Sequence, residues 1–333
     1  MPAIASLLIL ALIFWLVKNI QVDGFAYFMN ISFIGLTNGA VYALVALGYT
    51  LVYGILELIN FAHGDVFMLG GMISSTFILS VFHLGANPST GSLVVAILVS
   101  LFGAMAICGV LNATIEMIAY RPLRNAPRLA PLITAIGMSF ILQDVALAWK
   151  GPEYVTIPSV LPRGKVFSID GVTYTWNKLI VVIITVPVLV ALMWLVQKTR
   201  QGKAMRATAQ DKDAAAMMGI NVNRTISFTF ALAGALAGAG GLLYLLQFTT
   251  IRYDQGFQLG LLAFTAAVLG GIGNLTGAVL GAIMIGLIEQ FNEGLTWNTP
   301  GSDWTRSIIF GILIAILVFR PEGLLGERTP EGG

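Results

Sequence analysis

KTRQGKAMRATAQDKDAAAMMGINVNR, residues 198–224, decides how the rest of the chain is read. It carries Lys198, Arg200, Lys203, Arg206, Lys212 and Arg224 against Asp211 and Asp213, and long apolar runs flank it on both sides. A short loop with this excess of Lys and Arg between membrane spans stays in the cytoplasm. Its side therefore sets the orientation of every other segment. The second half predicts a helix: Ala207 to Met218 is rich in Ala and Met, has Asp in its first turns, and meets Gly219 where a helix-ending glycine sits. Two readings stay open on these residues, a docking device in a cytoplasmic loop or a charged loop that only retains topology.

Composition agrees with a membrane setting. Of 333 residues, 57% are hydrophobic and 10% charged, against about 25% charged in soluble domains. The 37 glycines suit membrane helices, where glycine is commoner than in soluble ones. The fold class expected is an all-α polytopic membrane protein. Cys108 is the single cysteine and lies in an apolar run, which excludes a disulfide framework or a thiolate metal site. The net charge of +2 says little about partners, because distribution matters and the sum does not. Nothing points to a nucleic-acid partner.

In chain order, apolar spans are expected at about 3–17, 25–58, 66–82, 92–118, 130–149, 179–197, 225–248, 257–272, 276–292 and 306–319. That gives about ten, with a range of 8–10, because the first segment is short and the turn Gly270 to Asn274 sits at membrane depth. The first segment has no basic residue ahead of it and no small-residue cleavage site after it, so it reads as a retained helix. The loop Tyr120 to Arg128 holds Arg121, Arg124 and Arg128 with no acid and reads as cytoplasmic. Counting one span on each side of the 150–178 loop puts both basic loops on one side and both termini in the cytoplasm. Residues 150–178 form one longer external loop, in which GKVFSIDGVTYTW predicts a small hairpin.

Small residues recur every fourth position at Gly35/Gly39, Gly234/Gly238, Gly256/Gly260 and Gly273/Gly277/Gly281, and again at Ser227, Ala231, Ala235 and Ala239. Such rows let helix backbones approach closely in lipid. On the second span, Asn38, Tyr42, Tyr49 and Tyr53 fall within about 60° of one another at the helical period. A polar face on an apolar helix looks toward protein or a watery path, and interhelical hydrogen bonding explains it equally well. It points to Asn60-Phe61-Ala62-His63-Gly64-Asp65, where Gly64 between His63 and Asp65 predicts a backbone break. His63 is a candidate gating group or, more simply, a hydrogen-bonded or capping histidine. Glu57, Asn112 with Glu116, and Glu289 with Glu293 lie near span ends and are expected to snorkel, with no role.

Catalytic patterns do not appear. There is no GxxxxGK[ST] loop, no HExxH and no GxSxG, and two histidines with one cysteine leave little for a metal site or an activated nucleophile. No enzyme activity, cofactor or metal is expected.

Several blocks, taken together, resemble the branched-chain amino acid (LivH-type) permeases of bacterial ABC importers. They are residues 33–71, 120–143, 201–224, 263–282 and the RPEGLLG at 320–326. Asp213-Ala214-Ala215-x-x-x-Gly219 is similar to the Glu-Ala-Ala-x3-Gly loop by which such permeases dock on ATPases, with Asp in place of Glu and without the apolar-proline tail. The resemblance implies a single transmembrane permease domain over 1–333, with 25–326 as the family core and 1–24 as an extra N-terminal helix. It implies a bacterial inner-membrane location among lipid, a second permease subunit of LivM type, two cytoplasmic ABC ATPase subunits and a periplasmic substrate-binding protein. The ATPase-coupling residues would be Arg206, Asp211, Asp213, Ala214, Ala215 and Gly219. The translocation-path candidates would be Asn38, Tyr42, Tyr49, Tyr53, Asn60 and His63. Relatives for urea, short amides or other small polar solutes share these blocks, so the solute stays open. A stand-alone channel or ion-coupled carrier would need ion-ligating groups at mid-membrane, whereas the acids here stand near span ends.

Overall fold

A computed structural model describes residues 2–326 apart from 57, 58, 86, 87, 125, 128, 163 and 321, with side chains from Leu10 onward. Glu57, Arg128 and the tail beyond 326 lie outside the described residues. In chain order the helices are α1 (Pro2–Asp23), α2 (Phe25–Leu56), α3 (Ala62–Thr76), α4 (Thr90–Ile115), α5 (Leu129–Lys150), α6 (Trp176–Lys198), α7 (Arg200–Gln210), α8 (Lys212–Met217), α9 (Val222–Phe248), α10 (Gln255–Gly270), α11 (Leu275–Gly294) and α12 (Ser302–Phe319). Eight helices among the described residues are long and apolar enough to cross a membrane, and α10 is a shorter apolar helix. With α1 the chain is an all-α polytopic membrane protein of about ten apolar helices.

The inner layer is α2, α3, α9, α10 and α11, with α4 packed along α9. Small residues decide these contacts. A Cβ on Gly64 of α3 would stand 2.7 Å from Gly260 Cα, and one on Gly286 of α11 would stand 2.7 Å from Gly39 Cα. Backbone therefore lies on backbone at both crossings, as small-residue packing in lipid requires. The rows read from the sequence are used within one chain, with one exception. Gly273 belongs to the turn before α11, at φ +92, so its row begins at Gly277. That turn is covered by the RPEGLLG segment, whose Leu324 and Leu325 amides donate to Leu269 and Gly270 carbonyls.

The expected break at Gly64 is displaced. Non-helical backbone occupies Ile59 and Asn60, and His63, Gly64 and Asp65 are the first turn of α3. Gly64 serves the close approach to α10 and not a kink. The hairpin does form: β2 (Lys165–Ile169) pairs antiparallel with β3 (Val172–Thr175). Asp170 and Gly171, both at positive φ, make its two-residue turn. Asn30 on α2 holds that turn, donating to Gly171 O at 3.1 Å and accepting from Thr173 N at 2.7 Å. Nearby, β1 (Val155–Thr156) pairs with β4 (Thr250–Ile251) directly after α9. The hairpin and β1–β4 therefore share the side opposite α7 and α8.

Candidate coupling surface and translocation face

Three caps in succession shape the 198–224 loop. The Thr199 side chain accepts from Gly202 N at 3.0 Å and opens α7. Asp211 then takes an extended backbone, and its Oδ1 accepts from Asp213 N and Ala214 N, both at 2.9 Å, opening α8. Asn221 accepts from Arg224 N at 3.0 Å and opens α9. The single helix expected over 207–218 is thus two, because a short carboxylate competes for the backbone amides and favours a cap over a helix interior.

The close of α8 follows the sequence. Gly219 stands at φ +84, a left-handed conformation that suits a residue without Cβ. Its amide donates to Ala216 O and that of Ile220 to Ala215 O, both at 3.0 Å. Ala215 faces inward and is buried, so it packs the loop. The outward tip consists of Met217 and Met218, each 82% exposed. Asp213 is exposed beside them and Ala214 is half-buried. Arg206 leaves the face of α7 to line a cavity of about 540 Å³ with Tyr53, Gln197 and Asn274. A candidate from the loop and a candidate from α2 thus meet in one space.

Next to this loop lies a cluster that sequence position alone did not reveal. Glu116, at the head of a π-helical turn (Glu116–Tyr120), is fully buried, and so does not snorkel. Arg121 Nη2 donates to its Oε2 at 3.0 Å, Arg124 pairs with its Oε1, and Ser227 of α9 donates to Oε2 at 2.6 Å. Arg124 also donates to Asn223 Oδ1 at 2.5 Å. Burial pulls the Arg124 guanidinium below the usual arginine range while the Glu116 charge opposes this. The result ties the end of α4 to the first turns of α9, directly after α8.

The polar face of α2 points inward. Asn38, Tyr42 and Tyr49 are all buried, and Tyr53 is half-buried at the cavity beneath. The Tyr42 hydroxyl donates to Glu289 Oε2 on α11 at 2.7 Å. Asn38 donates to Gln290 at 3.4 Å and accepts from Gln247 of α9. Tyr49 packs edge-on against His63, ring centroids 4.8 Å apart. His63 is fully buried against Gly48. Asn60 accepts from the Tyr120 hydroxyl at 2.7 Å. Asp65, also buried, accepts from Ser139 of α5. Asn38, Tyr42 and Tyr49 form an inward wall against α9, α10 and α11 of the same chain, with His63 against Tyr49, whereas Tyr53 borders the cavity beneath and Asn60 turns to Tyr120. Glu289, dismissed as a span-end acid, is the partner that this wall grips.

The family model described as branched-chain amino acid transport system / permease component matches residues 31–318. The chain belongs to this family. It is 39% identical over 300 residues to the high-affinity branched-chain amino acid transport system permease protein BraD of Pseudomonas aeruginosa, covering 89% of this chain and 95% of the relative. It is 38% identical over 315 residues to the permease protein LivH of Escherichia coli K12, covering 93% and 99%. A more distant likeness, 25% over 274 residues, joins it to the fructose import permease protein FrcC of Rhizobium meliloti, covering 78% of this chain and 69% of that one. The protein is a LivH-type permease, a multi-pass membrane subunit of a transporter. For a permease of this kind, the missed Glu116 and Glu289 had one sequence signal, an acid inside an apolar run. Their partners, Ser227 and Tyr42, lie far away in sequence, which is why position near a span end misled.

Proposed function

We propose that this permease forms half of the translocation path of an ABC importer for leucine, isoleucine and valine in a bacterial inner membrane. Two cytoplasmic ATPases dock beneath it, a LivM-type permease pairs with it, and a periplasmic binding protein delivers the solute. The observation that carries the reading is the similarity over nearly the whole chain to permeases named for high-affinity branched-chain amino acid transport. In this reading the α7–α8 side is cytoplasmic, as its basic excess requires. Met217 and Met218 enter a groove of one ATPase subunit. Methionine suits that role, because its flexible, polarizable side chain adapts to a partner surface. The three caps keep α8 stiff, and the Glu116 cluster passes its displacement to α4 and α9. The Asn38–His63 wall is the part of the path that would respond.

The test is Met217→Glu with Met218→Glu, expressed with the remaining subunits. The expected outcome is normal membrane insertion, ATP hydrolysis uncoupled from transport, and leucine uptake lowered at least tenfold. Uptake equal to the parent protein would remove α8 from the coupling role.

A further inference from the structure

The ends of α9 and α11 and the beginnings of α10 and α12 enclose a groove of about 850 Å³, on the side that carries β1 and β4. Its polar wall includes Gln258, Glu289, Glu293, Asp303 and Arg306, and its apolar wall includes Leu262 and Ile309. Glu289 is fixed by the Tyr42 hydroxyl. Glu293, one turn further along α11, and Arg306, in the second turn of α12, form no hydrogen bond or ion pair with any described residue. Charges of both signs, Glu293 and Asp303 against Arg306, thus face one space from two helices, above a held carboxylate and beside an aliphatic wall. A groove of this polarity cannot open onto hydrocarbon, so its free side meets water or protein.

We propose that this groove is a binding station for an α-amino acid zwitterion with an aliphatic side chain, an assignment that rests on the permease reading above. The ammonium group is received by Glu293, with Glu289 below it. The carboxylate lies against the Arg306 guanidinium, whose fork of donors matches two carboxylate oxygens. The side chain contacts Leu262 and Ile309. The rim charges are water-accessible, so binding is weak and release is fast, as passage requires. A cation or an anion alone leaves one sign unmet, and a neutral sugar brings no charge to either.

The experiment measures labelled leucine uptake by the intact importer in proteoliposomes with saturating binding protein. E293Q and R306Q are each expected to lower the maximal rate at least tenfold, with R306K recovering part of the loss, while the subunits still co-purify. A second measurement does not depend on the charges. In a Cys108→Ser background, Gln258→Cys should react with a charged methanethiosulfonate, lose uptake on labelling, and be labelled more slowly during leucine transport. If the parent importer takes up none of leucine, isoleucine and valine, the permease reading fails, and this assignment with it. If the parent transports them and both charge variants stay within twofold of it, the groove assignment alone is overturned. If the charge variants do not assemble, labelling of Gln258→Cys that leaves uptake unchanged overturns it.

Discussion

Helices α2 and α12 solve opposite problems. In α2, 83% of the most apolar window is buried, and in α12 only 11%. Yet α6, largely exposed, has a higher mean hydropathy than α2. In a soluble protein the most apolar helix would be the most buried. Between α6 and α2 the order is reversed, because lipid rewards exposed aliphatic surface and gives helices no hydrophobic reason to associate. The inner helices α2, α3, α9, α10 and α11 instead associate through backbone contact at small residues and through polar pairs such as Tyr42–Glu289. The outer helices carry bulky aliphatic residues such as Val190 and Ile314 to the surface.

The comparison can be broken at Gly64. Gly64→Leu on α3 has no room, and is expected to cost about 3 kcal/mol or more and to abolish folded protein after detergent extraction. Gly311→Leu on α12, where a Cβ meets nothing within 4 Å, should leave the thermal transition in place. Equal behaviour of the two variants would show that inner and outer glycines are not different. A smaller effect is expected at the polar pairs. Glu116→Gln keeps the shape but removes the charge that Arg121 and Arg124 share, and should lower stability by about 1–3 kcal/mol, read as a fall in melting temperature. A transition within error of the parent would remove the cluster as a clamp. The smallest effect is expected at Val110→Ala on the outward side of α4, with Val110 69% exposed. It should stay within about 0.5 kcal/mol, since surface substitutions away from packed features do so. A clear loss there would mean that this side is covered by a partner and not by lipid.

Much of this was legible in sequence because it depends on local pattern. The apolar runs, the basic loops and the hairpin at 165–175 rest on neighbours in the chain, as does the glycine after α8. What was not legible depends on distance or on competition. Asp211 looked like an acid early in one helix, and only its geometry as a cap divides α7 from α8. Gly64 looked like a break, but the contact that explains it comes from Gly256 and Gly260, nearly 200 residues later. Glu116 and Glu289 looked free to snorkel because Ser227 and Tyr42, which hold them, lie 111 and 247 residues away. For the path candidates, helical spacing predicted a shared face. It could not say that the face meets α9, α10 and α11 of the same chain.

The central claim is that this chain works as one subunit of an ATP-driven importer. Its most direct test is to tag the chain in its native host, solubilise the membranes gently and identify by mass spectrometry what purifies with it. The account predicts two P-loop ATPase subunits and a second, different permease. Recovery of the chain alone, or only with copies of itself, under several mild detergents would contradict it.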